Sequence, residues 1–153
     1  MARFVPFFCP SLLALGLLSL VTGCAAPPRS DAAHLATFTT RLAASNVVPA
    51  VPSPAVGTVD AVLDTETRLL RWKMTFSQLS GPVTMAHFHG PAVIGANAGV
   101  ALGLASPVSN PHTGRATLTA QQAADLLAGK WYVNVHTARF PAGEIRGQMI
   151  ERK

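Results

Sequence analysis

Apolar and polar residues alternate with a period of two through one short run after another between Phe38 and Gln148. A chain patterned in this way buries its apolar side chains by folding as β-strands. Phe38, Thr40 and Leu42 share one side of the first run, and Val59, Ala61 and Leu63 one side of the second. Leu70, Trp72, Met74 and Phe76 line one side of the third, opposite Arg71, Lys73 and Thr75, so Trp72 is expected in the core. Asp64-Thr65-Glu66-Thr67 is polar enough to turn the second run into the third as a hairpin. Further strands are expected over 83–89, weakly over 99–104, over 114–118, and in a last hairpin of 130–138 and 144–150 around the turn 139–143. Prolines 49, 52 and 54 rule out a central strand, so 44–56 reads as an extended connection along an edge. One helix interrupts the pattern. Thr119 and Gln122 form a capping box, 120–128 is rich in helix formers, and Gly129 sits where a left-handed residue closes a helix. The expected fold is all-β, an antiparallel two-sheet sandwich of about seven or eight strands with that one helix.

The first residues stand apart. Met1-Ala2-Arg3 is a short basic start and Phe4 to Val21 an uncharged apolar stretch, together a secretory signal. The stretch ends at Val21-Thr22-Gly23-Cys24, which resembles the bacterial lipobox, where cleavage falls just before a cysteine carrying a diacylglyceryl group. An ordinary cleaved signal and an uncleaved anchor are the alternatives, and Pro6 and Pro10 argue against a lasting membrane helix. The lipobox reading makes residues 1–23 a lipoprotein signal peptide, Cys24 the lipidation site and 24–35 a flexible tether rich in Ala and Pro. Two or more acyl chains, palmitate among them, give stable anchoring where one is marginal. By the same resemblance, Ala25 after the cysteine implies the outer membrane if the bacterium has two membranes.

Composition agrees with an exported domain. Cys9 lies in the leader and Cys24 would be acylated, so the folded part has no thiol and its stability comes from an ordinary core. Cys24 to Lys153 is long enough for one such core and short for two. Twelve Lys and Arg against seven Asp and Glu give +5, and loss of Arg3 with the leader lowers this to +4. That balance suits weak association with anionic lipid or polysaccharide. Nucleic acid is not expected as a partner, because the basic residues are scattered singly without an aromatic platform.

The last hairpin has two unlike faces. With a five-residue turn, Ala138 faces Glu144, His136 faces Arg146 and Asn134 faces Gln148. Tyr132, Asn134, His136, Glu144, Arg146 and Gln148 then form a polar side. Val133, Val135, Thr137, Ile145 and Met149 form the apolar one, with Gly147 admitting a close neighbour. In a regular strand Trp131 and Tyr132 cannot both face inward, so one of them is expected at the surface.

Asn46-Val47-Val48-Pro49, Ala86-His87-Phe88-His89-Gly90-Pro91-Ala92, the run from Leu126 to Thr137 and the run from Pro141 to Gln148 together resemble the CHRD domain. The family is named after chordin, an antagonist of bone morphogenetic proteins, and also occurs alone in bacterial exported proteins. The resemblance covers 36–151. It implies an extracellular, immunoglobulin-like β module of poorly defined activity. Growth-factor binding is not carried over, since it is associated with cysteine-rich modules that this chain lacks.

The sharpest chemical reading is a metal site. His87 and His89 are two apart on one strand and project to the same side, His136 supplies a third nitrogen and Glu144 a carboxylate. This set suits Cu(II) or Zn(II), and copper-zinc superoxide dismutases use a similar His-x-His strand pair. The competing reading makes His87 and His136 hydrogen-bonding groups in a network with Asn134, Arg146 and Gln148 that fixes strand register. Arg146 is likewise either an anion receptor beside Asn134 and Gln148, or half of an exposed pair with Glu144. His34 and His112 fall in the tether and a loop. No nucleophile elbow, phosphate loop, His-Glu-x-x-His or cysteine nucleophile marks an enzyme. The expectation is a lipid-anchored, non-catalytic binding or structural module at the cell envelope, its partner an envelope protein, a polysaccharide or a metal ion. The alternative is a copper or zinc protein, redox-active if copper is bound.

Overall fold

The computed structural model describes Met1 and residues 32–152. The signal peptide, Cys24 and most of the tether lie outside the described residues. The end of the tether belongs to the fold: the His34 carbonyl accepts from the Thr65 N–H and hydroxyl, both at 2.8 Å. Among the described residues no helix is long and apolar enough to cross a membrane.

The expected strands form. They are β1 (Leu35–Ala43), β2 (Val56–Asp64), β3 (Leu69–Ser77), β4 (Val83–His89), β5 (Val100–Gly103) and β6 (His112–Thr117). After the helix α1 (Ala120–Leu127) come β7 (Trp131–Thr137), β8 (Ile145–Met149) and the short β9 (Glu151–Arg152). Every second residue of β1 is buried from Ala36 to Leu42, as its alternation requires. The β2–β3 turn is closed by Asp64, whose carboxylate accepts from the backbone N–H groups of Glu66 and Thr67. The capping box of α1 is complete: Thr119 Oγ1 accepts from Gln122 N and Gln122 Oε1 from Thr119 N, while Gly129 follows with φ +69°. The connection between β1 and β2 contains a 3-10 turn, Ala44–Asn46, and no strand, and β2 begins at Val56.

All strand pairs are antiparallel and run in one continuous path, β5-β4-β7-β8-β1-β2-β3-β6, with β9 beside β1. The path curls. Phe88 of β4 meets Trp72 of β3 edge-on at 5.3 Å, although four strands separate β4 from β3 along the path. The two flanks therefore face one another across a single core that includes Phe38, Leu63, Leu70, Met74, Phe88, Trp131, Val133 and Ile145. Where the flanks join, β8 meets β1 through the pair Arg146 and Ala43.

The last hairpin is shifted by two residues from the register expected. Asn134 faces Arg146 and Tyr132 faces Gln148. The cause is a longer connection: Thr137 and Phe140 bond to each other's backbone, and Gly143 at φ +125° adds a second turn before β8 begins. A shift of two leaves each paired residue on its expected face.

Gly147 sits where β1 crosses. A Cβ there would stand 2.5 Å from the Arg41 carbonyl oxygen and crowd Thr40 and Leu42. Gly147→Ala is expected to lower stability by about 2 kcal/mol, read as a reduced midpoint in urea unfolding. Gly81→Ala, where a Cβ meets nothing within 4 Å, is expected to leave the midpoint in place.

Candidate functional site

Strand β7 is buried along its whole length, on both faces. Its apolar face packs into the core. Its polar face is covered by the β4–β5 loop, residues 90–99, and by the 138–144 connection. The expectation that Trp131 or Tyr132 would be exposed is corrected: both are buried. Alternation assigns a face, and whether that face is wet depends on what the loops do.

Arg146 holds the roof. Its guanidinium lies 3.5 Å from the centre of the Tyr132 ring, donates from Nη1 to Asn97 Oδ1 at 2.9 Å, and from Nη2 to the Ala96 carbonyl at 2.6 Å. Burial lowers its pKa and the Tyr132 hydroxyl acts against that fall. Tyr132 Oη donates to the Ala98 carbonyl and accepts from the Ala98 N–H. Gln148 Nε2 donates to the carbonyls of Ala92 and Gly129. Arg146 is buried and so is not half of an exposed pair, and two of its donors are held by the protein's own loop. Gln148 is engaged in the same way. Asn134 is turned to the other connection, where its Nδ2 donates to the Ala142 carbonyl.

Glu144 is the second correction. It precedes β8, beyond the reach of the alternation, and its side chain is fully buried away from the histidines. Oε1 accepts from Ser53 Oγ at 2.7 Å and Ser80 N at 2.9 Å, and Oε2 from Ser80 Oγ at 2.8 Å and Thr137 Oγ1 at 2.6 Å. These bonds tie the β1–β2 connection and the β3–β4 loop to the end of β7. Sequence spacing gave no signal for this role, because Ser53 and Ser80 are remote and lie in loops.

The histidines do meet. His87, His89 and His136 each bring one ring nitrogen to within 4.8 Å of the others. His89 and His136 are buried and His87 is half-buried. The rings are steered by their surroundings. His136 Nδ1 lies 2.9 Å from the Pro141 carbonyl and His89 Nδ1 3.1 Å from the Ala98 carbonyl. A carbonyl only accepts, so these contacts assign the protons to both Nδ1 atoms and leave both Nε2 atoms bare. His136 Nε2 is 3.3 Å from His87 Nδ1, whereas His89 Nε2 is buried with no partner. An unmet nitrogen of this kind costs on the order of 1–3 kcal/mol. The His89 ring also stacks on Tyr132, parallel and 4.8 Å away, so β4 and β8 clasp that ring from the two sides of β7. Burial lowers the pKa of His87, as does the neighbouring His136. For His89 burial is again the main cause; the Ala98 carbonyl opposes it, and His87 and His136 add to it. His112 lies in β6, not in a loop, and is buried outside the cluster.

An all-β module with three converging imidazoles beneath a clamped loop is thus the class that the fold and site define. The CHRD domain model matches residues 38–149, and the chain belongs to the CHRD domain family. No curated protein and no solved structure matches it.

Two predictions follow from the carboxylate and the roof. Burial pushes the Glu144 carboxyl up, but the bonds from Thr137, Ser53 and Ser80 outweigh it and hold it below the ordinary value. Its contribution is therefore complete above the unfolded-state value of about 4.3 and is lost as pH falls through the lower folded one. Glu144→Gln is expected to cost about 2 kcal/mol at pH 7 in urea unfolding, with the gap to the parent chain narrowing on acidification below about pH 4. Arg146→Lys loses the planar fork, so the 90–99 loop is expected to be cut by protease at least about tenfold faster while global unfolding shifts far less.

Proposed function

We propose that this chain is a non-catalytic binding or structural module held at the cell envelope by lipid on Cys24. The observation that carries the reading is how the polar face is used: Asn134, Arg146 and Gln148 bond to the protein's own loops. Such a face is built to hold a surface in a fixed shape. The 90–99 loop that it holds turns Val93 and Ile94 outward, 68% and 75% exposed. Beside Ile94 lies a pocket of about 390 Å³, bounded by Ser45 to Val48 and floored by Arg146 and Gln148. Membership of the CHRD family agrees with a module of this kind. The facing flanks of the curled sheet act in this reading as the two layers of an immunoglobulin-like sandwich. The leader and Val21-Thr22-Gly23-Cys24 supply the address, an exported lipoprotein of the outer membrane in a two-membrane bacterium.

Labelling cells with radioactive palmitate while expressing the full chain tests the anchor. The parent chain is expected to carry label and to sediment with membranes. Cys24→Ala is expected to lose the label. Equal labelling of parent and variant, or none in the parent, would contradict the reading.

A further inference from the structure

Three imidazoles that share one small space, two of them with the tautomer set by a backbone carbonyl, are disposed as metal ligands are. We propose that His87 Nδ1, His89 Nε2 and His136 Nε2 together bind one divalent transition-metal ion, copper(II) in preference to zinc(II). The proposal gives the binding module a ligand and rests on that reading for nothing else; it stands whether or not Cys24 is lipidated.

β4 and β7 are neighbours in the sheet, and His87 and His89 share the face on which Asn134 and Tyr132 stand opposite them. His136 reaches the same space diagonally, one pair further along β7, beside Met85. Two nitrogens bound about 2.0 Å from one ion stand about 2.8 Å apart at a right angle and about 3.3 Å apart at the tetrahedral angle. His87 Nδ1 and His136 Nε2 already stand 3.3 Å apart. Each of the three rings offers one nitrogen, and these nitrogens lie within 4.8 Å of one another.

A purely structural network explains only part of this. It accounts for His87 and His136, which bond to each other, and for both Nδ1 contacts to carbonyls. His89 Nε2 is left over, sealed from water and unpaired. A metal ion satisfies that lone pair and uses the orientation that Ala98 and Pro141 impose. On binding, the His87 proton moves from Nδ1 to Nε2 through solvent, which the half-buried ring permits, so the count of protons on the three rings is unchanged.

The donor set selects the ion. Glu144 is committed elsewhere and the cluster offers three imidazole nitrogens with no carboxylate or thiolate, which disfavours calcium and magnesium. Imidazole suits copper, zinc and nickel, and at a site of given geometry copper(II) binds the tightest of the three. Three protein ligands leave a further position for water or a small exogenous ligand, reached from the side of His87.

The test uses the mature chain, extracted in detergent without an affinity tag and stripped with chelator. It is incubated with Cu(II), Zn(II) or Mg(II), desalted at pH 7.5 and assayed for metal by elemental analysis. About one equivalent of Cu(II) is expected to remain, with nitrogen couplings in its electron paramagnetic resonance spectrum, and Cu(II) is expected to displace Zn(II). Mg(II) is not expected to be retained. His87→Ala, at a half-buried position, is expected to keep the fold by circular dichroism and to weaken Cu(II) at least about tenfold. The double variant with His89→Ala is expected to abolish retention. Cu(II) should raise the melting temperature of the parent chain and not that of His87→Ala. Glu144→Gln is expected to retain Cu(II). Less than about a tenth of an equivalent in the folded parent, or retention unchanged by folded His87→Ala, would overturn the proposal. Neither result alters palmitate labelling, so failure here is distinct from failure of the anchored-module reading.

Discussion

The Arg146 guanidinium lies flat on Tyr132 and fastens the 90–99 loop through Asn97 and Ala96, and this contact decides which side of the sheet meets water. Without it, β7 would be an ordinary half-exposed strand with a polar row in solvent. With it, the same row becomes a second, polar interior. A buried guanidinium without a carboxylate partner is expensive unless its donors are met and its charge is spread. Here the Ala96 carbonyl and the Asn97 amide oxygen meet two of the donors, and the Tyr132 face lies against the charge. The histidines inherit their environment from that arrangement, since Ala98, which steers His89, is fixed by Tyr132 in turn.

Much of the fold was legible because its signals are local. The period-two runs placed β1 to β4 and the sides of Phe38, Val59 and Trp72, and the Thr119–Gln122 box placed α1. The hairpin register was not legible, because it depends on how many residues the 138–144 connection uses. Thr137, Phe140 and Gly143 together build a double turn that a five-residue count misses. The slip was by an even number, so the polar and apolar faces survived it.

The site divides in the same way. His87, His89 and His136 could be grouped in advance because each lies within a regular strand and alternation directs it. Glu144 could not, because it stands just outside β8, where alternation no longer applies. Its carboxylate was claimed by Ser53 and Ser80, loop residues far off in the chain. Burial of Arg146, Gln148 and Tyr132 was hidden for a related reason: nothing in a strand's own pattern reports that a loop from its neighbour will fold back over it.

The carbonyl-directed imidazoles beneath that loop are read most directly by nitrogen NMR of the metal-free protein. Long-range proton–nitrogen correlation spectra at pH 7 are predicted to show His89 and His136 protonated at Nδ1, with Nε2 bare. Either ring carrying its proton on Nε2 instead would contradict the account, because the bonds to Ala98 and Pro141 would then be absent.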